Sequence, residues 1–215
     1  MRTVRSFVLR SGRLTKLQER ALHAYESTYG IPFFPEGSET LNEFLASKPS
    51  VMEIGFGMGE ATLAIARRNP DVHYLGVEVF PSGVGNLLNE IEQAGISNIR
   101  IIRHDAVEVI SRMIPRGTLT GVHIFFPDPW PKKKHHKRRL IQKPFIASLL
   151  HLLESEGYIY CVTDWEPYAL HIREVLESFE ELTSTDAYPW RPVTKFEQKG
   201  LAKDHTVTEI MVRMQ

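Results

Sequence analysis

Apolar runs at residues 51–54, 73–79, 99–103, 122–126 and 158–163 alternate with stretches of helical character at 60–68, 83–94, 107–113, 144–154 and 167–178. Runs that are apolar throughout, rather than at every second residue, belong to strands covered on both faces, as the strands of a parallel sheet are. Alternation of this kind winds a chain back and forth across one sheet, so the expected fold class is α/β, doubly wound and mostly parallel. Gly95 and Gly157 stand where helix C-termini need a left-handed residue. Beyond Phe179 the pattern changes, and Pro189, Pro192 and Gly200 punctuate a polar stretch before residues 207–212, which read as a closing antiparallel strand at the sheet edge. With 215 residues the chain is expected to form one domain over 1–215, in which residues 1–49 are a basic arm and a helix leading into the core. The helix is expected around 14–25, ended by Gly30-Ile31-Pro32, and Phe33-Phe34-Pro35 reads as packing.

Acidic and basic residues balance at 26 each, so any concentration of one sign is local. One lies at Ile124-Phe125-Phe126-Pro127-Asp128-Pro129-Trp130-Pro131, where an apolar strand ends in a loop with a single carboxylate. Pro127 and Pro129 restrict their own φ angles and push Phe126 and Asp128 toward extended conformations, which makes the loop a stiff bend. Seven cations follow (Lys132, Lys133, Lys134, Lys137, Arg138, Arg139, Lys143), and no acid appears after Asp128 until Glu154. Such a run is either a solvated face or a surface for polyphosphate, and Trp130 offers an indole that either stacks on a planar ring or packs under the loop. Residues 1–20 add Arg2, Arg5, Arg10, Arg13, Lys16 and Arg20 against Glu19 alone, an arm open to the same two readings. His135-His136 is a poor metal site, because adjacent ring positions on one element make poor tetrahedral ligands and no second ligand pair follows. The single cysteine, Cys161, lies in an apolar run and reads as a buried hydrophobe. No signal-peptide core or membrane-length apolar run is present, which predicts a soluble cytoplasmic protein.

Between the first strand and its helix lies Glu53-Ile54-Gly55-Phe56-Gly57-Met58-Gly59-Glu60, where doubly wound sheets bind ligands. Its spacing is G-x-G-x-G, not the dinucleotide G-x-G-x-x-G, and Glu53 and Glu60 bracket it, a poor setting for a pyrophosphate. A ligand with cationic centres and no phosphate fits better, as S-adenosylmethionine does. Glu78 ends the second strand 19 residues after Gly59, close to the spacing at which an acid meets ribose hydroxyls. Asp105 after the third strand either addresses the adenine side or caps the next helix. Asp164-Trp165-Glu166-Pro167 after the fifth strand is open to a site reading and to helix capping alike.

These residues resemble the bacterial tRNA (guanine-N7-)-methyltransferase family from Arg5-Ser6-Phe7 to Gly200. The most specific matches are Glu53-Ile54-Gly55-Phe56-Gly57-Met58-Gly59, Phe126-Pro127-Asp128-Pro129-Trp130-Pro131-Lys132, Thr163-Asp164-Trp165-Glu166-Pro167-Tyr168 and Thr194-Lys195-Phe196-Glu197. The resemblance implies a Rossmann-like class I methyltransferase fold that transfers a methyl group from S-adenosylmethionine to N7 of a guanosine in the tRNA variable loop. It implies that Glu53, Gly55, Gly57, Gly59, Glu78, Asp105 and Asp128 line the cofactor site, with Asp128 catalytic. Lys132, Asp164, Thr194, Lys195, Phe196 and Glu197 would then contact substrate, and Lys134, His135, His136, Lys137, Arg138 and Arg139 would contact RNA. A tRNA partner, no metal, no membrane, and a monomer or homodimer are expected. Past Gly200 the sequence departs, with Thr208-Glu209 standing where family members often carry a Trp-Asp pair. Two rivals remain: a methyltransferase acting on an exocyclic amine of RNA, whose loop usually has a small polar residue followed by Pro-Pro-aromatic, and a silent RNA-binding module, against which intact Glu53, Glu78 and Asp128 argue.

Overall fold

A computed structural model describes residues 5–8 and 12–215. The strands are β1 Ser50–Ile54, β2 His73–Val77, β3 Ile99–Ile102, β4 Leu119–Phe125, β5 Leu153–Thr163, β6 Leu182–Thr185 and β7 Thr208–Met214, in one sheet of order β3-β2-β1-β4-β5-β7-β6. The first five run parallel, and β7 is antiparallel to both neighbours. Among the described residues eight α-helices accompany them: α1 Lys16–Tyr29, α2 Glu39–Ser47, α3 Glu60–Arg68, α4 Pro81–Ala94, α5 Ala106–Arg112, α6 Lys143–Leu150, α7 Glu166–Glu177 and α8 Lys195–Leu201.

Two apolar layers explain why the strands read as unbroken apolar runs. On one side α2, α5, α6 and α7 bury Leu41, Val109, Ile146 and Ile172 against Met52 and Ile54 of β1. On the other, α1, α3 and α4 bury Ala21, Ile65 and Leu88 against Val51. The alternation within β1 therefore puts Glu53 on the α3 side, 2 % exposed. α1 starts with a reciprocal capping box between Thr15 and Gln18. It then approaches α4 so closely that a Cβ on Gly85 would stand 2.7 Å from the Gln18 carbonyl oxygen. Among the described residues, no helix is long and apolar enough to cross a membrane.

Several expectations need correction. The closing strand is antiparallel, but it is not at the edge: β6 pairs along its outer side. Gly157 caps no helix, because α6 ends at Leu150 and the buried Leu152 and Leu153 already lead into β5. The left-handed residue there is Glu156, φ 64°, while Gly157 serves a close approach, since a Cβ would meet the Glu154 carbonyl oxygen at 2.8 Å. Gly95 does cap α4, with φ 62°. Phe33 packs against the core and stacks on His104 at 3.8 Å, whereas Phe34 is 50 % exposed. Arg2 and Arg10 of the basic arm lie outside the described residues.

Candidate active site

The sheet order reverses direction at β1, which lies between β2 and β4, and the crevice above these strand ends is where ligands bind in such sheets. Gly55, Gly57 and Gly59 all take left-handed φ, at 72°, 57° and 78°. No atom lies within 4 Å of where a Cβ on Gly55 or Gly57 would be, so that face of the loop is open. Its other side is closed, because a Cβ on Gly83 of α4 would clash with the Gly57 carbonyl oxygen.

Glu78, 5 % exposed, holds the loop from β2. One carboxylate oxygen accepts from the Gly57 N–H at 3.0 Å, and the other from Val79 at 2.6 Å and Phe80 at 3.0 Å. Burial raises its pKa, the three N–H bonds pull it down, and Asp128 raises it further. Glu53 accepts the Thr62 hydroxyl at 2.8 Å, and burial pushes its pKa up to about 7 against that hydrogen bond, with Glu78 adding to the rise. Glu78 is thus near enough to Glu53 on one side and to Asp128 on the other to feel the charge of each, beside an open glycine face. That donor set fits the sulfonium, ammonium and ribose of S-adenosylmethionine. Asp105 caps α5, accepting from the Val107 N–H at 3.0 Å.

The loop after β4 is stiff in a way different from expectation. Phe126 adopts φ 49° rather than an extended conformation, and Trp130 adopts φ 45°. Left-handed φ is strained for bulky residues. Phe126 is held there by its N–H bond to the Val162 carbonyl at 2.8 Å and by ring packing 5.2 Å from Phe196. Asp128 sits exposed between these two bends. Its pKa is raised by desolvation at the crevice and lowered in part by Arg138. Trp130 is occupied, with its indole N–H donating to the Ser6 carbonyl at 3.0 Å and Arg138 lying 4.1 Å over its ring. Its donor and one ring face are thus engaged within the protein.

The basic run forms a 3-10 helix over Lys133–Arg138, and its cations point different ways. Lys132, Lys133, Lys134 and Lys137 are exposed, while Arg139 is 3 % exposed. Arg139 donates to the Pro129 carbonyl at 2.9 Å and stacks on Tyr168 at 4.8 Å, so it clamps the loop and does not face RNA as expected. His136 lies against Arg139 at 3.3 Å, and His135 packs edge-on to Trp130.

Across the crevice Asp164 pairs with His205 at 2.9 Å and does not cap α7. Thr194 caps α8 by accepting from the Glu197 N–H, and the Lys195 N–H donates to Glu60 at the glycine loop, 3.0 Å. Phe196 is 58 % exposed over Phe126. Glu197 is 5 % exposed and turned inward onto Arg191, so as a direct substrate contact it is corrected. Sequence reasoning missed Thr62 and Arg191, and it noted Glu209 only as a departure from the family pattern, not as the partner of Arg191. As sequence, residues 195–201 read as part of a polar stretch, and the capping-box spacing of Thr194-x-x-Glu197 is the signal by which α8 could have been found.

This strand order, crevice and carboxylate set define an S-adenosylmethionine-dependent class I methyltransferase. A family model described as a putative methyltransferase matches residues 47–210. The tRNA (guanine-N(7)-)-methyltransferase of Neisseria meningitidis serogroup A / serotype 4A is 49% identical over 99% of this chain and 91% of that protein. The Bordetella pertussis protein of the same name is 48% identical over 98% of this chain and 85% of its own. The chain belongs to the tRNA (guanine-N(7)-)-methyltransferase family. Among solved structures, the 16S rRNA methyltransferase KamB shares the fold with TM-score 0.61 at 10% identity, covering 84% of this chain and 95% of that one.

Proposed function

We propose that this chain methylates N7 of a guanosine in tRNA, in the variable loop by family resemblance, with S-adenosylmethionine as donor. The observation that carries the reading is Glu78, bonded to the open glycine loop and near enough to both Glu53 and Asp128 to feel their charge, beside a run of exposed lysines. Guanine N7 presents an in-ring lone pair and no proton, so no base need deprotonate the nucleophile, and positioning with electrostatics must lower the barrier. When bound, S-adenosylmethionine supplies a methyl group activated by the sulfonium. Glu78 and the glycine backbone orient the ribose, and Glu53 contributes negative charge below it. Asp128 accepts from the guanine N–H groups and stabilises the positive charge that develops on the ring. Phe196, exposed beside the loop, offers the stacking surface that Trp130 does not. Lys132, Lys134 and Lys137 hold phosphates, Asp164 lines the far wall, and a cytoplasmic place of work follows from the substrate.

Unmodified tRNA incubated with the protein and methyl-labelled S-adenosylmethionine, then digested to nucleosides, tests this. Labelled 7-methylguanosine is expected. A label on an exocyclic amine would transfer the chain to the rival chemistry, and RNA binding without methyl transfer would make it a silent module.

A further inference from the structure

Arg191 belongs to none of the motifs that point to the site, yet its side chain is 8% exposed and fully engaged. Its guanidinium grips Glu197 with two nitrogens, at 2.5 and 3.0 Å. It also grips one oxygen of Glu209 with two nitrogens, at 2.9 and 2.6 Å. The other Glu209 oxygen accepts the Tyr160 hydroxyl at 2.8 Å, tying the group to β5, and the Tyr188 hydroxyl donates to the Glu209 backbone carbonyl at 3.3 Å. The same guanidinium lies 5.9 Å over the ring of Phe126, the strained residue at which the Asp128 loop begins. One cation therefore joins β7, the first turn of α8 and the root of the catalytic loop. From that turn of α8, Phe196 faces the crevice and Lys195 reaches the glycine loop through Glu60.

We propose that Arg191 is a positioning residue for methyl transfer: through Glu197 and the Phe126 ring it sets the separation between Phe196 and Asp128, the gap in which the target base must sit. A planar fork is the group suited to this, because it fixes direction as well as charge. Glu197 acts here as the buried handle by which α8 is held. The inference rests on the base-methylating reading above.

The test separates position from charge balance. Arg191→Gln leaves Glu197 and Glu209 as facing carboxylates, so Arg191→Gln with Glu209→Gln removes that repulsion while still lacking the fork. Arg191→Lys keeps the charge and loses only the fork. Melting temperature, S-adenosylmethionine affinity, RNA affinity and single-turnover rate at saturating RNA are measured for each. The double variant and Arg191→Lys are expected to bind cofactor within about twofold of wild type and to lose roughly ten- to a hundredfold in single-turnover rate, the scale of a misplacement of about 1 Å. If either turns over at the wild-type rate, Arg191 is only a charge clamp and the inference is overturned. Should the Gln variants fail to fold, Arg191→Lys decides alone. A wild-type protein that makes no 7-methylguanosine would instead sink the functional reading.

Discussion

The indole N–H of Trp130 donates to the backbone carbonyl of Ser6 at 3.0 Å, joining residues 124 positions apart. Arg138 reinforces this link, covering the indole and donating to the Phe7 carbonyl at 3.3 Å. The arm is thereby fastened to the loop that follows β4. Trp130→Phe keeps an aromatic ring and removes the donor, which should cost about 1 kcal/mol locally. Hydrogen exchange across residues 5–8 should quicken while cofactor affinity stays put. Unchanged exchange would mean that the arm is held by something other than this bond.

Glu53 makes stability depend on pH in a predictable direction. Its pKa in the fold, about 7, lies above the ordinary 4.5, so its contribution is fully present below about pH 4.5 and is lost as pH rises through 7. Glu53→Gln keeps an acceptor for Thr62 and removes the titration. The variant should therefore gain on the ligand-free wild type between pH 5 and pH 8, by about 3 kcal/mol at most. Denaturant midpoints across that range check this, and a gap that does not vary with pH would refute it. Because a cationic ligand favours the carboxylate, cofactor binding near pH 6.5 should also release protons, detectable by calorimetry in buffers of different ionisation enthalpy.

Glu78 accepts three backbone N–H groups, so its loss is both a binding and a folding event. Glu78→Ala should weaken S-adenosylmethionine binding and also lower stability by about 1–3 kcal/mol, since buried donors are left unpaired. Calorimetry with wild-type affinity would remove Glu78 from the cofactor site.

Repeating local signals made most of the core legible. The covered strands β1 to β5, the span of α3, the Gly95 cap and the open glycine loop each follow from periodicity or from a conformation that few residues adopt. The rest depends on partners distant in sequence. β6 is four residues long and gains its strand character from β7 alone. Charge in the run after Trp130 is readable, but its direction is not: Arg139 turns inward because the Pro129 carbonyl and the Tyr168 ring receive it, while Lys132 and Lys137 stay in solvent. Glu197 sits in a readable motif and points away from the crevice because Arg191 is there. Phe126 defied the pre-proline expectation because its ladder bond to Val162 and its packing on Phe196 outweigh a local preference.

That division of the basic run has a measurable consequence. Replacing Lys132, Lys134 and Lys137 by Ala should leave the melting temperature nearly unchanged and weaken all tRNAs alike, with the slope of log affinity against log salt shrinking by roughly 0.7–0.9 for each phosphate no longer neutralised. Arg139→Ala should do the reverse. Removing its bond to Pro129 should destabilise the fold by about 1–3 kcal/mol and leave the salt slope in place. A slope unaffected by the three lysine changes would make the ridge a solvated face.

Asp128 stands between two left-handed bends, and among the described residues its carboxylate accepts no hydrogen bond, so it does not serve as a cap for backbone amides of the loop. Nothing local consumes its acceptors. Asp128→Asn keeps shape and one acceptor oxygen and removes only the charge, so cofactor affinity and melting temperature should stay near wild type. If the charge stabilises the cation forming on guanine, the single-turnover rate should fall by roughly two to three powers of ten, or about 2.7–4 kcal/mol, the cost of removing one preorganised electrostatic partner. The pH dependence carries the same sign. Desolvation raises the Asp128 pKa above its ordinary 3.8, so the active carboxylate is lost on the acid side, sooner than an unperturbed aspartate would be, and the wild-type rate should level off as pH rises. Because N7 yields no proton, no further rise tied to a base near neutrality is expected. A near wild-type single-turnover rate for Asp128→Asn at saturating tRNA and cofactor would end the electrostatic role, whatever its melting temperature.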